Sequence, residues 1–234
     1  QYLAAPEVAE SRTKEAEATR VAFGWFREAQ RTIDVMATGV SEVLQNLPGT
    51  DTLRLRLLQE AASSYERFSD QDSPDPQVRL ERGHTLVRLG DIRRRMRSYQ
   101  EAAQAYQRAR RVYSELLAEP PGDRDVRLDV ALCLRKLGDV LVDQSDFETA
   151  RKTLVEAQTQ LARARNSADR RRQEIEWKVS LGLLERECRN DPQAEHWFRQ
   201  ALEQAVAPDP GDDPESLEQL ALIQSLLGGM LSKA

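Results

Sequence analysis

Apolar residues along most of this chain recur every three or four positions, the spacing that lines one face of a helix. From Phe26 through Ala29, Ile33, Met36, Val40, Val43 and Leu47 the steps alternate between three and four. Leu57, Leu58, Ala61, Ala62, Tyr65 and Phe68 carry a second such stripe. No segment shows the period-two, β-branched pattern of a strand. Between its breaks the sequence is rich in Ala, Leu, Arg, Glu and Gln, all good helix formers. The breaks are four clusters: Leu47-Pro48-Gly49-Thr50-Asp51, Asp72-Ser73-Pro74-Asp75-Pro76, Glu119-Pro120-Pro121-Gly122-Asp123, and Pro208-Asp209-Pro210-Gly211-Asp212-Asp213-Pro214. Proline restricts its own backbone and its predecessor's, while Asp and Gly supply turn and cap geometry, so these are loops. The expectation is an all-α protein.

Residues Glu7 to Asn46 contain no proline, and fully helical they would span about 60 Å at about 1.5 Å per residue. The start, Glu7 to Arg20, is mostly charged and Ala-rich. It reads either as a solvated extension or as the end of a coiled coil begun upstream. With a helix predicted over Thr52–Ser69 the segment would form a helical hairpin occupying residues 1–72.

The rest of the chain repeats itself. Leu89-Gly90 is followed by Ala102, Tyr106 and Ala109, which lie 12, 16 and 19 residues after the glycine. Leu137-Gly138 is followed by Ala150, Leu154 and Ala157 at the same offsets, and Leu181-Gly182 by Ala194, Phe198 and Ala201. Leu227-Gly228 opens a fourth unit, and the steps between glycines are 48, 44 and 46 residues. Small residues at matched points let two antiparallel helices approach closely, and the large residue at offset 16 is expected to fill the gap between neighbouring units. A helix pair cannot bury its stripe alone, so pairs stack into an α-solenoid of antiparallel helix pairs. The predicted repeats are 77–118, 124–165 and 168–206, within a region 73–206. Residues 207–234 supply a Pro/Asp-rich loop and a C-terminal capping helix.

The Leu-Gly, Ala, large residue, Ala pattern resembles the tetratricopeptide repeat, which implies a right-handed superhelix. The family's usual Trp is replaced by Leu86, Leu134 or Lys178, its Tyr after the glycine by Arg93, Leu141 or Glu185, and its closing Pro by Ser114, Ala162 or Val206. The period also exceeds the family's, which is about 34 residues. A further resemblance spans roughly residues 15 to 160. The long helix ending at Leu47-Pro48, then Arg54-Leu55-Arg56-Leu57-Leu58, Ala61–Phe68, Asp75-Pro76 with Val78-Arg79, and Arg88-Leu89-Gly90-Asp91-Ile92 follow one another in order. This order is similar to the repeat region after the kinase domain and single membrane helix of planctomycete serine/threonine protein kinases. It implies a parent anchored by one membrane helix, with this region extracytoplasmic; a cytoplasmic location is the alternative.

Composition narrows the chemistry. Lys+Arg total 34 against 39 Asp+Glu, a net charge of −5, and the mean hydropathy is −0.64. Two cysteines, Cys133 and Cys188, and two histidines, His84 and His196, are too few for a disulfide framework or a rich metal site. No dinucleotide, P-loop, zinc-protease or nucleophile-elbow motif occurs. No catalytic residue, cofactor or metal ligand is expected. Cys133, between Leu132 and Leu134, reads as a core residue, and Cys188 as the more exposed thiol. The runs Arg93-Arg94-Arg95 with Arg97, Arg108 with Arg110 and Arg111, and Arg170-Arg171-Arg172 suggest phosphate or nucleic acid. Adjacent helix positions point in different directions, however, and Asp91, Glu101 and Glu115 are within pairing range, so no nucleic-acid partner is expected.

Protein binding has the positive support, because a stack of helix pairs offers a surface lined by the first helix of each pair. The tetratricopeptide resemblance places that groove at His84, Val87, Arg88, Asp91 and Arg95 in the first repeat. In the second it selects Leu132, Arg135, Lys136, Asp139 and Asp143, and in the third Glu176, Val179, Ser180, Leu183 and Arg186. The family's carboxylate clamp needs Asn where this chain has Asp91 and Asp139, which would repel a carboxylate. The expected function is therefore a non-catalytic interaction scaffold with a protein or peptide partner, the recognition region of a larger kinase. The alternatives are a structural module that dimerises through the stripe from Phe26 to Val43 or the end at Leu226–Leu231, and a nucleic-acid-binding regulator.

Overall fold

The computed structural model describes residues 28–29, 31–33, 35–40, 43–44, 47, 49–70, 75–119, 126–206 and 214–231. All regular structure among the described residues is helical. The chain divides into two compact units, residues 1–64 and 65–234.

In the first unit, Val35–Val40 forms a π-helical turn, and α1 begins at Asp51 and runs to Ser69. The π turn corrects the expectation of one continuous α-helical stripe. Its wider i→i+5 bonding rotates the residues beyond it to a new angle, so Val40, Val43 and Leu47 do not extend a straight seam. All three are exposed. Phe26, the charged start Glu7–Arg20, and most of the Pro/Asp/Gly clusters lie outside the described residues.

The second unit contains the last turn of α1 and seven further helices. These are α2 (Pro76–Arg95), α3 (Tyr99–Ala118), α4 (Val126–Asp143), α5 (Phe147–Arg163), α6 (Ala168–Glu187), α7 (Asp191–Val206) and α8 (Pro214–Leu231). Helix starts follow their sequence signals. Asp75 accepts a bond from Gln77 N at 2.8 Å with Pro76 next in line, Asp146 caps Thr149 N at 3.2 Å, and Ser167 caps Arg170 N at 3.1 Å. Consecutive helices pack as the pairs α2/α3, α4/α5 and α6/α7, each pair stacks on the next, and α8 closes on α7. The stack is an α-solenoid.

One contact recurs in every pair. The ring of Tyr106 lies on Gly90, Leu154 on Gly138 and Phe198 on Gly182. A methyl at Gly90 would fall 2.5 Å from Tyr106 Cε1, and one at Gly138 2.8 Å from Leu154 Cδ2. The residue at offset 16 therefore fills the space inside its own pair, over its own glycine, rather than between units as the sequence suggested. Tyr113 meets Gly83 in the same way, one heptad further along both helices. Tyr106, Tyr113, Leu154 and Phe198 are all fully buried.

The turn inside each pair is also repeated. Arg97, Ser145 and Arg189 have φ of 62°, 63° and 58°. Ser98 N bonds Arg93 O, Asp146 N bonds Leu141 O and Asn190 N bonds Glu185 O, each at 2.9 Å. This is the Schellman helix stop, with an ordinary side chain where glycine is usual. Left-handed backbone costs such a residue about 1–2 kcal/mol, and glycine's extra unfolded freedom offsets about half of that. Ser145→Gly is expected to raise stability by about 0.5–1 kcal/mol, measured as a higher urea midpoint. An unchanged or lower midpoint contradicts this account of the turn.

Candidate functional site

The first helices of the three pairs, α2, α4 and α6, carry all the groove residues expected from sequence, and their charges pair with one another. Lys136 Nζ on α4 donates to both carboxylate oxygens of Asp91 on α2, at 2.7 and 2.9 Å. Tyr106 Oη donates to the same carboxylate at 2.6 Å. Arg94 Nε reaches Asp143 at 2.6 Å, and its Nη1 lies 3.6 Å from Asp139. Arg135 joins Asp139 at 3.2 Å to Glu176 on α6 at 2.6 Å. A ladder of ion pairs thus runs across three repeats. The Lys136–Asp91 and Arg135–Asp139 rungs are half-buried, where breaking one partner leaves the other charge partly desolvated, while Arg94–Asp143 is exposed.

The remaining groove positions divide by environment. Val87 and Ser180 are buried, and Val179 and Leu183 pack against the α7/α8 cluster. Arg88 and Leu132 are half-buried and Arg95 is exposed. Arg186 lies 3.6 Å from Glu187. Asp91 and Asp139, placed by the resemblance where a carboxylate clamp would need Asn, are neutralised by Lys136 and by Arg135 with Arg94.

The arginine runs are paired likewise. Arg93 meets Glu66 and Glu101, Arg108 meets Asp70, Arg110 meets Glu156, Arg170 meets Glu174 and Arg172 meets Asp169. With Arg82 Nε on Ser69 O at 2.8 Å, Arg93 and Arg108 also fix the last turn of α1.

Sequence reasoning missed a second periodic position, five residues before each glycine. There Cys133 Sγ lies 3.0 Å from Tyr106 O of the preceding pair, and Trp177 Nε1 donates to Leu154 O at 2.7 Å. Both acceptors are the offset-16 residues. Trp177 was passed over because the family's tryptophan was sought one residue later, at Lys178. Burial pushes the Cys133 thiol up to about 12, so it is a packed, un-ionised side chain. Cys188 is exposed.

A different side of α6, bearing Trp177, Leu181 and Glu185, floors an open groove of about 440 Å³ between α5 and α7. Val155 and Arg151 of α5 and Trp197 of α7 form its walls. The two indoles meet edge to face, centroids 5.6 Å apart, and Val155 is 53% exposed. At one end Arg151 bonds Glu185, holding that carboxyl below the usual range, with Asn190 adding a bond at 3.0 Å. This groove has an apolar floor and one charged end.

No protein-family model matches the chain, and no curated protein matches it. Among solved structures it is similar to BtubC (BKLC) from P. vanneervenii, with a TM-score of 0.54 and 18% identity, covering 98% of this chain and 87% of that one. The likeness is one of fold. The yeast histone chaperone Hif1, described as a scaffold protein recruiting protein complexes to core histones, aligns at a TM-score of 0.44 and 12% identity over 87% of this chain and 98% of that one.

Of the two histidines, His196 is exposed on α7 beside Gln200 and Trp197. His84 is half-buried between pairs, 3.1 Å from Asp129 on α4 and 3.5 Å from Glu81. Burial opposes its charge, but the bonds and charges of Asp129 and Glu81 outweigh it and raise its pKa above 6.5. Its contribution to stability is therefore complete below the unfolded value of 6.5 and is lost as pH rises through the higher folded value. His84→Gln should remove that decline from urea midpoints measured across pH 6 to 9. A decline of the same size in the variant contradicts the assignment.

Proposed function

We propose that the protein is a non-catalytic interaction scaffold, a tetratricopeptide-like stack whose protein partner docks in the groove between α5 and α7. The observation that carries this reading is the Trp177–Trp197 pair at an open, apolar-floored groove. Tryptophan in such a setting is the residue type that most often dominates protein binding energy. The first-helix face supports it by contrast, because a ligand there would have to displace ion pairs the repeats make with each other. A charged partner residue complementary to Arg151 or Glu185 would fix register at the polar end.

The resemblance of residues 15 to 160 to the repeat region of planctomycete serine/threonine protein kinases supports a narrower reading. In it, the docked protein is a partner or substrate presented to a kinase on the same polypeptide. No helix among the described residues is long and apolar enough to cross a membrane, so a membrane anchor in that arrangement would be supplied by another segment.

Cross-linked capture from source cells with three versions of the full chain tests the site. Proteins captured by the wild type should be lost with Val155→Glu and retained with Leu132→Glu, while circular dichroism stays the same in all three. Loss with Leu132→Glu and retention with Val155→Glu would move binding to the first-helix face. No specific capture by the wild type would overturn the scaffold reading.

A further inference from the structure

The C-terminal end expected to seek a partner is partly covered, because Leu226 and Leu227 of α8 pack on the α7 cluster. The groove between α5 and α7 is different, since it joins exposed apolar surface to a charge fixed in place. The Arg151–Glu185 pair at its end is lopsided: the Arg151 side chain is 46% exposed and that of Glu185 only 5%. One Glu185 oxygen accepts from Arg151 Nη1 and the other from Asn190 Nδ2 at 3.0 Å. The carboxylate is sealed beneath its partners, and what the groove shows to an approaching molecule is the guanidinium, with the Cys188 thiol against it. A guanidinium carries five N–H donors in one plane, so the bond to Glu185 leaves capacity for a second acceptor. The other charges of these turns balance one another: Lys152 pairs with Glu148 at 3.0 Å, and Arg189 and Asp191 flank Asn190.

The apolar part begins one turn away. Val155 follows Arg151 by four residues on the same face of α5, about 6 Å along the axis, and Trp197 of α7 lines the opposite wall. Trp177, Leu181 and Glu185 succeed one another at four-residue steps along α6, so the floor runs for two turns, about 12 Å. Both walls are helices whose backbone groups are bonded within the helix. An extended peptide laid there would bring its own N–H and C=O groups onto an apolar floor with no backbone partner to receive them. A helix arrives with those groups already satisfied.

We infer that this groove receives an amphipathic helix of the partner, whose apolar stripe rests on Val155, Leu181 and the Trp177–Trp197 pair and whose carboxylate, one turn along that stripe, meets Arg151. The inference rests on the docking site proposed above and adds the chemistry of its occupant. An acidic residue gains the exposed guanidinium without displacing Glu185. A basic residue in its place meets the same guanidinium and is repelled, while Glu185 lies beneath it out of reach.

Titration of the full chain with capped, Ala-rich helical peptides of about 16 residues tests this, read from the indole N–H signals of Trp177 and Trp197. Each peptide carries two leucines four residues apart and, one turn further, either Glu or Lys. The Glu peptide should shift both indoles and bind about five- to tenfold more tightly than the Lys peptide, the gap narrowing in about 0.5 M salt. Arg151→Gln should bind the two peptides equally, which also shows that the variant is folded, and Val155→Glu should bind neither. A Glu peptide interrupted by proline should lose binding. The inference is overturned if the Lys peptide binds as tightly as the Glu peptide, if the preference survives Arg151→Gln, or if neither peptide shifts the indoles at millimolar concentration. Equal binding of the proline-interrupted peptide would assign the groove to an extended segment and overturn it too. In each of these cases the docking site itself stands or falls separately, on whether Val155→Glu abolishes capture of the cellular partner.

Discussion

Close approach of a glycine to a large side chain is the constraint on which the rest of this solenoid depends. Gly90, Gly138 and Gly182 each give up a side chain so that Tyr106, Leu154 or Phe198 can lie directly on the helix backbone. The same residues then organise the next interface. The carbonyls of Tyr106 and Leu154 take the bonds from Cys133 and Trp177, and the Tyr106 hydroxyl anchors Asp91, which receives Lys136. In the first two pairs, helix pairing and stacking on the next pair are therefore coupled through one position, Tyr106 or Leu154. Burial, followed by the neighbouring Asp91, raises the Tyr106 phenol far above its ordinary value, so it stays an un-ionised donor.

Electrostatics divides the surface into two kinds. Exposed pairs such as Lys152–Glu148 are worth about 0–1 kcal/mol. The ladder Lys136–Asp91, Arg94–Asp143 and Arg135–Glu176, partly buried at Lys136 and Arg135, spans repeats and registers one pair against the next. A chain with many arginines thus spends many of them on its own carboxylates, and the face that resembles a tetratricopeptide groove is largely internally satisfied. The groove floored by Trp177 and Leu181 carries an ion pair at its Arg151–Glu185 end.

The helical class and the repeat register were legible because both follow from spacing: 3,4 steps along a helix, and the 12, 16 and 19 offsets from each Leu-Gly. Which surface the large residue fills was not legible. Offset alone does not say whether Tyr106 turns to its own Gly90 or to the next pair. The non-glycine turns at Arg97, Ser145 and Arg189 were hidden because three unlike residues share one backbone conformation. Cys133 was legible as a core residue, but the role it shares with Trp177 was hidden for a related reason: a thiol and an indole do the same work only when the preceding carbonyl is in place. The π turn at Val35–Val40 is a local rewinding that keeps a 3,4 spacing in sequence while breaking the stripe in space. The groove at α5–α7 is made by three successive helices, but Val155, Trp177 and Trp197 share no periodic spacing, and only the packing of the helices brings them together.

A double-mutant cycle at Gly182 and Phe198, read from urea unfolding of the full chain, tests the central constraint most directly. Gly182→Ala alone should destabilise by about 1–3 kcal/mol as its methyl meets the ring, and Phe198→Ala alone by about 3–5 kcal/mol. With the ring removed the methyl has room, so the double variant should be less destabilised than the sum by more than about 1 kcal/mol. Additivity within about 0.5 kcal/mol would show that the glycine and the ring act independently, and would contradict the account.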